Sequence, residues 1–172
     1  MLPIRVVAIS TEVAEAVRAT LRAPVYEHPA HAEVGSDSAP WRHCLRLIPP
    51  AERRILFTYD RFAQVESLPL PGPIFVHGQA CARYPDDAGF PEELRASPRT
   101  LEAYARGRQL LAKKYVGDGK MEEAIEQLFA HHPAADYIHV NSTTAGCFTF
   151  RVERQAARRS LGEATAPTAW PR

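Results

Sequence analysis

Proline sets the grammar of this chain. Fifteen prolines stand among 172 residues, and several of them fall where an apolar run ends. Proline has no backbone N–H and holds φ at about −65°, so it stops a helix and cannot sit inside a central strand. Pro24 closes a first helical stretch, and Pro49 and Pro50 close a strand-like run. Pro71 and Pro73 lie in an extended approach to residues 74–77, and Pro133 ends a second helix. The elements between them are short.

Residues 4–9 are rich in Val and Ile and read as a strand. Ser10 and Thr11 then offer N-cap oxygens, Glu12 and Glu15 suit the positive end of a helix, and Val13, Ala16, Val17, Thr20 and Leu21 form one apolar stripe. Residues 26–40 read as loop, with a turn cluster at 35–38 and a short strand near 31–34. Alternation predicts strands over 43–48 and 53–60, antiparallel because their link is short, then an extended run at 67–73 and a strand at 74–77. Residues 85–98 are loop-like, with a turn of helix at 92–94. Residues 100–116 contain helix formers, but Gly107 between Arg106 and Arg108 marks a tight turn, so a hairpin is expected. A clearer helix starts at Asp118 or Gly119, with Met121, Ala124, Ile125, Leu128 and Phe129 on its apolar face. Strands at 137–141 and 147–153 flank the turn at 142–146. The expectation is one α+β domain over residues 1–154, a mainly antiparallel mixed sheet with helices packed on one face, followed by a mobile tail at 155–172.

An apolar share of 45% and a charged share of 24% belong to a globular chain rather than a disordered one. The formal charge of +1 provides no global attraction for nucleic acid or an anionic membrane, so neither is expected as a partner. No apolar stretch is long enough to span a bilayer, and residues 1–10 are too short for a signal peptide. Cys44, Cys81 and Cys147 are odd in number and widely spaced, which suits free thiols in a reducing cytoplasm. Gly-rich phosphate loops, dinucleotide fingerprints and zinc-helix motifs are missing, so the sequence specifies no cofactor, and nothing in it sets the oligomeric state.

Alternation also distributes the reactive side chains. With Ile138, Val140, Phe148, Phe150 and Val152 on the core side of the last hairpin, Tyr137, His139 and Asn141 fall on the other side with Cys147, Thr149 and Arg151. Arg42, Cys44 and Arg46 point away from Leu45 and Leu47 in the same way. The plain interpretation is the wet face of an antiparallel sheet. Cysteine is a poor choice for open solvent, however, and thiols among arginines suggest a covered polar pocket. The candidate catalytic residues are Cys81, His77, Cys147 and His139: a thiol nucleophile with an imidazole base, oriented by Asn141. The candidate ligand-binding residues are Arg42, Cys44, Arg46, Asn141 and Arg151, whose guanidinium forks suit a carboxylate or phosphate. His77 and Cys81, four apart, with Cys44, Cys147 or His139, have the ligand chemistry for zinc but lack the paired spacing of structural sites, so no metal ligands are assigned.

Several segments together resemble a family of bacterial proteins catalogued as domain of unknown function 1203. They are Arg42-His43-Cys44-Leu45-Arg46, Phe57-Thr58-Tyr59-Asp60, Pro71-Gly72-Pro73, residues 74–81, Gly89-Phe90-Pro91 and Gly146-Cys147-Phe148-Thr149-Phe150-Arg151. The resemblance runs from Ile4 to Arg154 and favours the hairpin in residues 100–116. Family members often carry a cysteine where this chain has Trp41, a departure that argues against a paired-cysteine metal site or a redox couple at that segment. The resemblance implies no activity. Three classes of function follow from the residues: a protein that binds, and as an enzyme would transform, a small anionic metabolite; a zinc-binding module; or a non-catalytic interaction protein.

Overall fold

The computed structural model describes residues 3–35, 39–63, 65 and 68–155. Eight strands and two helices follow in the order β1 (Ile4–Val7), α1 (Thr11–Thr20), β2 (His31–Val34), β3 (Arg53–Asp60), β4 (Pro71–His77), β5 (Arg99–Tyr104), β6 (Leu110–Val116), α2 (Met121–His131), β7 (Tyr137–Ser142) and β8 (Phe148–Arg154). A 3₁₀ turn at Glu92–Leu94 interrupts the loop before β5. The expected α+β class and antiparallel pairing are both present. The strands, expected in one sheet, divide between two: a five-stranded sheet in the order β1-β8-β7-β5-β6 and a three-stranded sheet in the order β2-β3-β4.

Each sheet has its own helix. Met121, Ala124, Ile125, Leu128 and Phe129 of α2 pack with Leu101, Ala103, Ile138, Val140 and Phe150 of the larger sheet. Ala14 and Val17 of α1 pack with Ile55, Phe57, Ile74 and Val76 of the smaller one. The buried stripe of α1 is thus narrower than the expected one: Ala16 and Thr20 are exposed, and Leu21 closes the helix with a left-handed φ of 49°. Ser10 caps α1 by accepting the Val13 N–H at 3.3 Å. Between β5 and β6, Gly107 adopts φ 72°, the conformation for which glycine has no steric penalty, and the hairpin forms as expected.

Two expectations are corrected. Residues 43–48 are not a strand: residues 42–44 form a turn, Leu45 has φ 54°, and the segment makes an isolated bridge between Pro40 and Leu47. Residues 41–45 are all buried, which a strand with alternating faces between core and solvent does not allow and a tight turn does. The Trp41 amide donates to the Arg46 carbonyl and the Leu45 amide to the Trp41 carbonyl, closing that turn. In the last hairpin the register slips between Val140 and Asn141, so Phe150 opposes Val140 while Phe148 opposes Asn141. That one-residue bulge moves Phe148 off the core face of Phe150 and into the cluster of the smaller sheet. His139 accordingly faces Arg151 in the register rather than Cys147 or Thr149. The expected tail lies outside the described residues apart from Gln155, whose amide donates to the Pro3 carbonyl.

Candidate functional site

The turn that replaces the expected strand is where reactive groups converge. It delivers His43 and Cys44 side by side, and the loop after β4 brings Cys81 to them. His43 Nδ1 lies 3.2 Å from Cys81 Sγ, and Nε2 lies 3.1 Å from the Thr11 hydroxyl at the start of α1. One helical face of α1 also carries Arg18, whose Nη2 donates to Cys81 Sγ at 3.5 Å while its Nε donates to the His77 carbonyl at 2.9 Å. Cys44 packs in a cluster with Trp41 and Ile48, and Cys81 leans against that cluster.

Burial, reinforced by the charges of Arg18 and Arg83, pushes the His43 imidazole down to about 4, so it is neutral at neutral pH. In the tautomer that carries its proton on Nε2 and donates it to the Thr11 hydroxyl, Nδ1 presents a lone pair to the Cys81 thiol. A neutral imidazole held this way can accept a hydrogen bond from the thiol and take its proton as the sulfur attacks, with the Arg18 guanidinium standing beside the sulfur. Among the described residues no carboxylate pairs with Arg18, so its charge stays available to an anion. Burial pushes the Cys44 thiol up to about 11, the neighbouring Cys81 adding to the rise. Cys81 is half-buried and Cys44 buried, so a solute would meet Cys81 first.

The remaining candidates are placed as follows. His77 lies tilted against Trp41 with ring centroids 3.9 Å apart, accepts the Gln79 amide at Nδ1 and turns Nε2 toward Glu52 at 3.6 Å. It borders the thiol site without supplying its base. Arg46 is exposed and paired with Glu93 at 3.1 Å. Arg42 is buried but points elsewhere, donating Nε to the Phe148 carbonyl at 2.9 Å and Nη1 to the Pro40 carbonyl.

His139, Asn141, Cys147 and Arg151 belong to a second region, on the side of the larger sheet away from α2. His139 is enclosed by the rings of Phe62, Tyr104, Tyr137 and Phe148 at 4.9–5.2 Å, and among the described residues neither of its nitrogens has a hydrogen-bond partner. Burial, with Arg61 and Arg151 adding, holds it at about 2, which makes it a neutral core imidazole. Asn141 accepts from Arg61 at 3.1 Å, and Arg151 pairs with Glu153 at 2.7 Å. Cys147 lines a cleft of about 220 Å³ with Tyr59, Arg61 and Phe148, and its Sγ contacts the Ala145 carbonyl at 3.5 Å. Six of the nine candidates therefore fall into two groups, Cys44 and Cys81 in one and His139, Asn141, Cys147 and Arg151 in the other, while His77 borders the first, Arg42 reaches the Phe148 carbonyl beside the second, and Arg46 stands apart on Glu93. Among the described residues no set of three His, Cys, Asp or Glu side chains is grouped to hold a metal ion.

Sequence reasoning passed over His43, Thr11 and Arg18. His43 is fully buried in the turn. The available signal was its position between Arg42 and Cys44, together with Thr11 and Arg18 seven residues apart on one helix.

No helix among the described residues is long and apolar enough to cross a membrane. No curated protein and no solved structure matches the chain. A family model described as protein of unknown function (DUF1203) matches residues 38–154, a span that holds both thiols and His43 and begins after α1. On that match, the chain belongs to this family of unknown function.

Proposed function

We propose that the chain binds a small anionic metabolite beside Cys81 and engages it covalently through that sulfur. The reading moves the expected Cys/His/Arg site from the sheet face to the junction of α1, the 42–44 turn and the loop after β4. The single observation that carries it is the chain of contacts from Thr11 through His43 to Cys81, at 3.1 and 3.2 Å. In this reading His43 takes the thiol proton, Thr11 holds the imidazole in the competent tautomer, and Arg18 attracts the ligand's negative charge. Cys81 attacks an electrophilic carbon, and His43 returns the proton to the leaving group. A reducing cytoplasm is the proposed setting, since it would keep such a thiol available.

Paired alkylating reagents test both parts. Iodoacetate and iodoacetamide share one electrophilic carbon and differ in charge. We expect Cys81 to react at least about tenfold faster than Cys147, with iodoacetate favoured over its neutral analogue relative to a free thiol. R18M should abolish the charge preference, and H43Q should slow both reagents about tenfold or more. If Cys81 reacts no faster than Cys147 and ignores reagent charge, the proposal is wrong.

A further inference from the structure

A second thiol beside the first asks for its own account, since nucleophilic capture at Cys81 makes no use of Cys44. We infer that Cys81 and Cys44 are a reversible dithiol–disulfide pair, oxidised by small hydroperoxides and reduced by an external dithiol. The inference rests on the reading of Cys81 as an activated thiol and adds a redox activity to the site.

Three features lead to it. Cys81 is half-buried and touched by His43 and Arg18, so it is the sulfur a small oxidant reaches and the one with a proton acceptor. Cys44 is buried against it, shielded by Trp41 and Ile48, where a resolving thiol is kept from solvent but within reach of its partner. Cys44 also sits on a turn outside both sheets, next to Leu45 with its φ of 54°, so closing a sulfur–sulfur bond breaks no strand pairing. Cys147 lies in the separate cleft beside Phe148, which leaves Cys44 and Cys81 as the intramolecular pair.

The chemistry balances with these groups. The Cys81 sulfur attacks the outer peroxide oxygen as its proton passes to His43 Nδ1. The S–O bond forms as the O–O bond breaks, and the departing alkoxide takes the proton from His43 to leave as an alcohol. The Cys44 sulfur then attacks the Cys81 sulfenic acid. The S–S bond forms, the S–O bond breaks, and hydroxide leaves with the Cys44 proton as water. Two thiols lose two electrons, and one hydroperoxide becomes one alcohol and one water. An external dithiol reverses the state by exchange, becoming a disulfide itself.

The test uses the reduced full-length chain and tert-butyl hydroperoxide. One equivalent should lower the free thiols from three to one, and peptide mapping without reductant should find Cys44 linked to Cys81 within a single chain. C44A, an apolar replacement for a buried thiol, should yield a sulfenic acid at Cys81 that dimedone traps, with folding checked by circular dichroism. H43Q in the otherwise native chain should slow oxidation about tenfold or more without needing C44A to fold. Three thiols surviving excess hydroperoxide, or a linkage through Cys147 or between chains, overturns the inference. If Cys81 still shows its fast, charge-selective alkylation in that case, the nucleophilic reading stands alone. If it shows neither reactivity, both fall.

Discussion

Arg61 Nη1 lies 3.1 Å from Glu102 Oε2 and an equal 3.1 Å from Asn141 Oδ1, so one guanidinium just past β3 is fastened to both β5 and β7. The pair is nearly closed to water, with side-chain exposures of 16% and 9%. Glu102 also receives Lys113 at 2.7 Å and the Tyr104 hydroxyl at 2.9 Å. Burial alone would raise the Glu102 carboxyl, but the Lys113 and Tyr104 hydrogen bonds and the Arg61 charge outweigh it and hold it below its usual value.

R61M should therefore destabilise the fold, because it removes a charge partner from a buried carboxylate. Lys113 and Tyr104 remain, so the expected loss is about 2 kcal/mol rather than the larger cost of a fully orphaned ion. Urea unfolding at pH 7.5 measures it. The stabilisation from Glu102 is present above its unfolded pKa and fades as pH falls through the lower folded value. The gap between wild type and R61M should thus narrow in acid, and a gap independent of pH contradicts this account.

His139 predicts a second pH effect at milder acidity. Its folded pKa of about 2 lies far below the ordinary value near 6.5, so between them the unfolded chain binds a proton that the native chain refuses. Stability should be full above about pH 6.5 and lower by about 2 kcal/mol at pH 5. H139L removes two unpartnered nitrogens from an aromatic cage and should hold stability at pH 7.5 while flattening that slope. Parallel denaturation curves at pH 5 and 7.5 decide the matter; equal slopes in the two proteins would mean that other groups set the acid response.

Thr11 acts through His43 and is a positioning residue. T11A should reduce the alkylation rate of Cys81 about twofold to tenfold, the value of one neutral hydrogen bond, and T11S should restore it. Thermal unfolding separates this from a capping effect, since Ser10 rather than Thr11 caps the helix. Equal loss in T11A and T11S would assign Thr11 to packing.

Gly78 sets how closely the end of β4 approaches β3. A Cβ built there would stand 2.9 Å from both the Arg53 carbonyl oxygen and its Cβ. Its amide meanwhile donates to that same carbonyl at 2.9 Å. G78A should cost about 1–3 kcal/mol by overpacking and, by displacing the loop that carries Cys81, slow its alkylation. An unchanged rate in a folded G78A protein would show that the loop adjusts independently.

Much of the fold was legible because its signals are local. Ser10 before α1, Gly107 in the β5–β6 turn and the apolar face of Met121 to Phe129 each declare an element within a few residues. The bulge that turns Phe148 around was hidden, since a one-residue slip leaves alternation intact on each side of it. The turn at 42–44 is hidden because Leu45, Arg46 and Leu47 alternate as in a strand, while the left-handed φ of Leu45 leaves no mark in the sequence. A strand there would put His43 and Cys44 on opposite faces, and it leaves His139 as the candidate base, a histidine whose neighbours are rings rather than thiols. Cys44 and Cys81 were legible as a pair of reactive types, but their meeting depends on a long-range contact that no spacing rule records.

The slip before Phe148 gives the closing strand two allegiances: Phe148 anchors one half of the protein and Phe150 the other. The strand works as a party wall, and neither half can re-phase it alone without pulling out its neighbour's anchor. Melting should consequently be a single event, with both halves losing order at the same temperature.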